Sequence, residues 1–450
     1  MSDQAILRIT REIRQIQRSA DMAFAVDYEE SDIRHVRAII LGPPETPYQF
    51  GFFEFTIKFG RDYPTSPPTI RAVTTNGGTC RFGPNLYAGG KVCLSILGTW
   101  NGERGEQWSS AQGLESVLIS IQSLMSSNPY ENEPGYENAR SPLDEDNMVQ
   151  YKSKICHETI RIAVIQPLEA ALHILPDGTA RTTYEELFEN DDDLTEDEAP
   201  AVENPFTDLR KRRLLWYYEA YTQLIERESA ELPPNPPSPT TPNRQFRRMP
   251  FESSGNTMDG HFDYAELSRR LAILKNKIME ETENWRVQGL QAQKNELGIA
   301  VNLQRQYEQI VESLKGHKNF SIDLSLVDEN PFLWRVTCFG RSTTPLEGGI
   351  IKIKVHLSPR FPAEQPRVFV ETPLSHIRVS KEGVLCYFPR KDDEMRHHIE
   401  AIVAALEDDE PPYDPRTTVN PEASKLFWGS PDDRKKYKRT LRRDVERSVE

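Results

Sequence analysis

Two hydrophobic periods recur along the chain, and each predicts its own kind of element. In residues 4–18, Ile6, Ile9, Ile13 and Ile16 fall at helical spacing, while Arg8, Arg11, Arg14 and Arg18 lie outside the stripe. That pattern predicts an amphipathic helix, either a plain surface helix or one that docks on an acidic partner. From Phe52 to Phe59 the period drops to two. Phe53, Phe55, Ile57 and Phe59 alternate with Glu54, Thr56 and Lys58, as in a strand buried on one face. Turn-rich connections flank it, Gly42 to Tyr48 before and Asp62 to Pro68 after. Leu114, Val117, Leu118, Ile121, Leu124 and Met125 return to the helical period and predict a core-facing helix. Residues 207–229 read as a further helix, and Leu267, Leu271, Leu274 and Ile278 as one face of another.

The alternating strand then comes back. Ile351, Ile353, Val355 and Leu357 alternate with Lys352, Lys354 and His356, after a Thr344-Pro345-Leu346-Glu347-Gly348-Gly349 turn that echoes Thr46 to Gly51. Phe361-Pro362 and Pro366 echo Tyr63-Pro64 and Pro68. His376-Ile377-Arg378, Gly383 and Cys386 keep the spacing of Gly83-Pro84-Asn85, Gly90 and Cys93. Four matches in one order argue for a duplicated domain. Between the copies, Asp191 to Glu198 is an acidic run that reads as a solvated linker. Arg210 to Arg213 is a basic cluster, either a solvated helix face or a nuclear address. Leu232 to Pro239 reads as a polyproline spacer, with a weaker reading as a ligand for proline-reading domains.

Composition narrows the class. The 450 residues allow two or three domains, and 37% apolar against 28% charged residues suits folded cores joined by solvated segments. A formal charge of -14 argues against a nucleic-acid or anionic-membrane partner. No apolar stretch is long enough to span a bilayer, and Met1-Ser2-Asp3-Gln4 lacks a signal peptide's apolar core. The five cysteines form no C-x-x-C pair, so neither a metal site nor a disulfide framework is expected, and a reducing compartment, cytoplasmic or nuclear, is the expected location.

Candidate chemistry gathers at Cys93, which follows Gly89-Gly90 and opens the apolar run Leu94 to Leu97. Asn85 lies eight residues upstream. Together they offer a soft nucleophile and a neutral amide donor able to face the same carbonyl. No histidine neighbours the cysteine in sequence to serve as its base.

These residues resemble the ubiquitin-conjugating enzyme family, whose signature is His-Pro-Asn, a glycine, the thioester cysteine, then Leu-Ser-Ile-Leu and a Trp-Ser-Pro turn. Pro84-Asn85, Gly90, Cys93 to Leu97 and Trp108-Ser109 match, while Gly83 and Ser110 stand where the family has His and Pro. Leu97 to Trp100, Ser120 to Met125, Asn128 to Tyr130 and Asn132 to Tyr136 look like its Z-type class. So does His261 to Tyr264, which is similar to that class's C-terminal extension. The likeness covers residues 1 to about 280 closely and 297–447 more loosely.

The resemblance implies an α+β chain with two such domains, each an antiparallel sheet of about four strands flanked by helices. It divides as a catalytic domain over 1–170, an acidic, proline-rich and partly helical linker over 171–260, a helical extension over 261–296 and a divergent second domain over 297–450. It implies a transferase that takes ubiquitin or a ubiquitin-like protein from an activating enzyme as a thioester on Cys93. A lysine of a protein substrate then receives the modifier, usually with a ubiquitin ligase. ATP is consumed at the activating enzyme and no cofactor is bound. Asn85 becomes the oxyanion or loop residue, Glu133 the acidic gate, and Arg8, Arg11 and Arg14 the contacts to the activating enzyme. In the second copy, Cys386, His376 and Asp414 are the corresponding candidates, and Arg378 replaces the amide. That copy reads as non-catalytic or weakly loading. A scaffold that loads neither cysteine is the alternative for the whole chain. Retention of both Asn85 and Cys93 stands against it, and the missing Cys/His pair disfavours a thiol protease.

Overall fold

The computed structural model describes residues 3–19, 22–100, 105–181, 204–231, 244–294, 298–316 and 321–450. The acidic run and the polyproline spacer lie outside these. The chain divides into two compact units, Met1–Arg210 with Ile225–Leu271, and Lys211–Leu224 with Ala272–Glu450.

In the first unit, strands β1 (Phe24–Glu29), β2 (Asp32–Leu41), β3 (Phe52–Lys58) and β4 (Thr69–Ala72) form one antiparallel sheet in chain order. Period two sets its register: Val26 pairs with Ala38, Ala38 with Phe55, and Phe55 with Ala72, so one row of small and large apolar residues crosses the sheet. That face packs on helices α1 (Asp3–Arg18) and α2 (Leu114–Ser123) and on α3 (Pro142–Glu158). Helix α3 starts where Ser141 accepts the N–H of Asp144 and Asp144 reaches back to Ser141. A π-helical turn (Thr159–Ile165) and a short α4 (Gln166–Ala171) continue it.

Two details of the pattern differ from expectation. In α1 the buried stripe is Ala5, Ile9, Ile13 and Ile16, and Ile6 is 40% exposed. At 100° per residue, Ile6 falls at the edge of the face that Ala5 shares with Ile9 and Ile13. On the outer face of β3, Glu54 is buried rather than solvated. Its carboxylate takes Arg37 on one oxygen and Arg210 and Asn204 on the other. A charge so placed is tolerable because both oxygens meet donors.

The second unit repeats the plan. Strands β5 (Ile322–Leu326), β6 (Leu333–Phe339), β7 (Ile350–His356) and β8 (Arg367–Val370) form a second antiparallel sheet. Its central row, Leu324, Val336, Ile353 and Val370, occupies the register of Val26, Ala38, Phe55 and Ala72. The turn before β3 and its counterpart before β7 close alike, Gly42 N–H to Gly51 and Gly340 N–H to Gly349, both at 2.9 Å. The late helix at Pro431–Arg447 opens on Ser430 and Asp433 with the same reciprocal cap as Ser141 and Asp144.

The expected linker over 171–260 is folded wherever it is described. Helix α5 (Thr207–Glu231) carries buried Leu214, Leu215, Trp216, Tyr217 and Tyr221. Residues 244–262 pack on the first unit, with Met249 and Met258 in its core and the Phe251 ring against Tyr130, Tyr136 and Tyr151. Lys154, fully buried, is neutralised there by Glu252 at 2.6 Å. The basic cluster is no solvated face either: Arg210 pairs with Glu54 and Lys211 with Glu281, and both cations are buried. Helix α6 (Tyr264–Lys294) buries Leu267, Leu271, Leu274 and Ile278 as the spacing predicts, and α7 (Gly298–Gly316) follows it.

Candidate active site

The loop that carries Cys93 is fastened to β4 at Gly90. There φ is 83°, and a Cβ would lie 2.7 Å from the Ala72 carbonyl, whose own N–H donates to Gly90 O at 2.9 Å. Glycine alone meets both demands. Three residues on, the Cys93 N–H donates to Asn85 O at 2.9 Å, and Asn85 Nδ2 donates back to Cys93 O at 3.2 Å. This reciprocal pair brings the amide to the thiol residue, as the spacing suggested. Asn85 uses one of its two N–H groups in this way, and its buried Oδ1 has no partner among the described residues.

Two further residues, not singled out by sequence, complete the site. Tyr87 lies within electrostatic reach of the Cys93 thiol; burial first, then that thiol, push its phenol up. Arg81 is buried, and its guanidinium donates to the carbonyls of Gly83 (3.1 Å), Pro84 (2.8 Å) and Phe251 (2.9 Å) and to Glu133 Oε2 (3.1 Å). It also lies over the Tyr87 ring, 5.1 Å from the centroid. One cation therefore fixes the Pro84-Asn85 turn, the tyrosine and the acidic residue together. Burial pushes the Glu133 carboxyl above its usual range, although Arg81 pulls the other way. Its neighbour Asn132 is spent on the Leu124 carbonyl. The signal for Arg81 and Tyr87 was available, since a cation and an aromatic flank Asn85, but the cation's partners near Phe251 are 170 residues away.

The helix α1 arginines divide. Arg8 is occupied: it pairs with Glu12 and donates to the carbonyls of Ser110 and Gln112 at 2.6 Å, bracing the turn after Trp108. Arg11 and Arg14 are exposed.

In the second unit the backbone is the same and the chemistry is not. The Cys386 N–H donates to Arg378 O at 2.9 Å, and Gly383, with φ of 84°, presses on Val370 O as Gly90 does on Ala72 O. Cys386 has no exposed surface, and burial pushes its thiol up to about 12 against the pull of Arg378 and Arg213. His376, also buried, accepts the Arg378 N–H at 3.2 Å, and burial holds its imidazole down at about 3. It is therefore neutral near pH 7 and braces the loop rather than acting as a base. Burial pushes Asp414 up, but its bonds from Arg416 outweigh that and leave it below the usual range. Asp414 caps its own turn and stays within electrostatic reach of Arg378 and Cys386.

A sequence profile described as ubiquitin-conjugating enzyme matches residues 8–159 and 302–443, which is more than half of the chain and includes both cysteine loops. The chain belongs to the ubiquitin-conjugating enzyme family. Ubiquitin-conjugating enzyme E2 Z of Homo sapiens is 37% identical over 281 residues, 62% of this chain and 66% of that one. The E2 Z of Danio rerio is 49% identical over 168 residues, 37% of this chain and 49% of its own. The dual E2 ubiquitin-conjugating enzyme/E3 ubiquitin-protein ligase BIRC6 of Homo sapiens is 42% identical over 153 residues, 33% of this chain and 3% of its own. The chain thus spans about two thirds of the human E2 Z and about half of the fish protein.

For a ubiquitin-conjugating enzyme, Gly83 in place of the triplet histidine has a local explanation. A Cβ at Gly83 would lie 3.2 Å from the Tyr48 hydroxyl, which donates to Phe82 O at 2.6 Å. Tyr48 thus occupies the space into which a larger residue would project, and its bond closes the turn from the other side.

Proposed function

We propose that this chain is a ubiquitin or ubiquitin-like conjugating enzyme working through Cys93. The observation that carries the reading is the closed set around one thiol: the reciprocal Asn85–Cys93 bonds, with Glu133 held at the same loop by Arg81. Among the described residues no histidine bonds to that thiol, which suits an acyl carrier better than a protease.

In the first step the Cys93 thiolate attacks the thioester carbonyl on the activating enzyme, whose own thiolate leaves. This thiol-for-thiol exchange is nearly balanced and needs access more than a strong base. In the second, a lysine amine attacks the Cys93 thioester. Negative charge grows on the carbonyl oxygen within reach of the second Asn85 N–H, the Cys93 thiolate leaves, and the ammonium proton passes to Glu133 or water. A raised carboxyl pKa suits Glu133 to accept that proton. ATP is spent at the activating enzyme, for which exposed Arg11 and Arg14 offer contacts. A ligase and protein substrates complete the partner set, and the unpaired cysteines fit a cytoplasmic or nuclear setting.

Incubation with activating enzyme, ATP and ubiquitin, read on gels with and without reductant, tests this. A reductant-sensitive adduct is expected, absent in Cys93→Ala and retained in Cys386→Ala. Absence of an adduct with every modifier tried refutes the enzymatic reading. An adduct lost only in Cys386→Ala moves the chemistry to the other loop.

A further inference from the structure

The second cysteine loop differs from the first most in what lies over it. Those groups come from Lys211–Leu224, the part of α5 that belongs to the second unit. Tyr217 Oη donates to the Arg416 carbonyl at 2.9 Å, and the Trp216 ring meets Phe388 edge-on, centroids 5.5 Å apart. Glu219 accepts the Lys381 N–H at 2.5 Å, within the turn between Arg378 and Cys386. Arg213 lies close enough to Cys386, Tyr217 and Arg416 to interact electrostatically with each. Lys211–Glu281 at 2.7 Å, and Lys275 at 4.4 Å over the Tyr218 ring, fasten the same stretch from its other side.

We propose that Lys211–Leu224 is a built-in plug for the acceptor cleft of the second domain, so that Cys386 carries no acyl group and the occupant of that cleft is the chain's own helix. An acceptor thiol must admit an extended peptide terminus and leave space for a donor at the developing oxyanion. Here both places are filled. Arg378, standing where the first loop has its amide, lies within electrostatic reach of Cys386. From the other side come Trp216 and Tyr217, 5% and 0% exposed. The void left among Leu215, Trp216, Val368, Leu385 and Tyr387 is about 10 Å³, at the lower limit for one water. The plug also accounts for the buried Leu214, Leu215, Trp216, Tyr217 and Tyr221 in a segment between acidic and proline-rich stretches, where a solvated linker would be polar.

The test uses the full chain and neither a modifier nor an activating enzyme, so its outcome is independent of what Cys93 does. N-ethylmaleimide is added, and site-by-site mass spectrometry reads the alkylation rate of each cysteine. Cys386 should react at least about a hundredfold more slowly than in the urea-unfolded chain. Replacing Trp216 and Tyr217 together by alanine should speed it at least about tenfold. Cys338, buried in the second core, should stay protected in the same sample and report that the domain is folded. Cys386 reacting in the native chain about as fast as in urea overturns the proposal. An unchanged Cys386 rate in the double variant, with Cys338 still protected, does so too. Should the double variant expose Cys338, Tyr217→Phe decides, because it keeps the ring and removes the hydroxyl that bonds to Arg416. Labelling of Cys386 about two- to tenfold faster supports the plug, and an unchanged rate overturns it.

Discussion

Asn85 has two candidate roles whose magnitudes are far enough apart to be measured against each other. In the resting loop it contributes one hydrogen bond, Nδ2 to Cys93 O at 3.2 Å. If that is its whole function, Asn85→Ala removes about 0.5–1.5 kcal/mol, and every step that needs the closed loop slows by about two- to tenfold. If its second N–H meets the oxyanion formed when lysine attacks, the same change removes about 2.7–4 kcal/mol from that step alone, or about 10²- to 10³-fold. We expect the second pattern. Loading from the activating enzyme should stay within about tenfold of wild type, because thiolates serve as both nucleophile and leaving group there and the exchange is close to balanced. Discharge should fall by about 10²-fold or more. Asn85→Asp should be no better than Ala, since a carboxylate offers no donor and repels the oxyanion. The assay is a chase: Cys93 is loaded, ATP is removed, lysine is added, and loss of the thioester is followed on non-reducing gels beside a thermal melt. Equal slowing of loading and discharge, by less than tenfold, would refute the oxyanion role and leave Asn85 as a loop fastener.

Three further outcomes follow from the same geometry. Glu133 sits above its ordinary 4.5 because burial outweighs Arg81, so discharge should climb with pH as Glu133 ionises, with the inflection above 4.5. Glu133→Gln should flatten that limb and lower the rate by about 10²-fold; an unchanged profile refutes the proton-acceptor role. Arg81→Met strands a half-buried carboxylate and three carbonyls, so a loss of about 3–5 kcal/mol in urea melts is expected. The acid limb of discharge should move upward with it, and a limb that stays in place refutes the coupling. Lys154→Met leaves Glu252 buried and uncompensated, again about 3–5 kcal/mol, whereas adding Glu252→Leu should recover most of the loss. A double variant as unstable as the single one contradicts that account.

What the sequence made legible was governed by short periods. Alternation placed Phe53, Phe55 and Ile57 on the core face, and the same alternation marks Ile351, Ile353 and Val355 in β7. The spacing from Gly90 to Cys93 and from Gly383 to Cys386 survived because a backbone carbonyl sits where a Cβ would go. What stayed hidden depended on partners far along the chain. Four successive cations at Arg210 to Arg213 look solvated until Glu54, 156 residues away, and Glu281, 70 residues away, are brought to Arg210 and Lys211. Residues 244–262 look like a linker because their polar residues dominate any local average. Yet Phe246, Met249, Phe251 and Met258 suffice to hold them on the first core.

The duplication separates what a loop needs to form from what it needs to act. Both loops keep the glycine against the neighbouring strand and the cysteine N–H bonded two turns back, to Asn85 O in one and Arg378 O in the other, each at 2.9 Å. Backbone closure is therefore common to two loops whose side chains differ, and cannot by itself set them apart. The differences lie in side chains that the closure leaves free to vary. Asn85 is a small amide that uses one N–H on the backbone and keeps another, whereas Arg378 is a long cation within electrostatic reach of the thiol, its buried Nε without a partner among the described residues. Tyr48 supports the first turn from outside the loop, whereas His376 supports the second from within it. Glu133 bonds to an arginine that also holds the Cys93 loop, whereas Asp414 bonds to Arg416 within its own turn. Restoring the amide by Arg378→Asn would accordingly leave Cys386 unloaded, because Trp216 and Tyr217 would still lie over it.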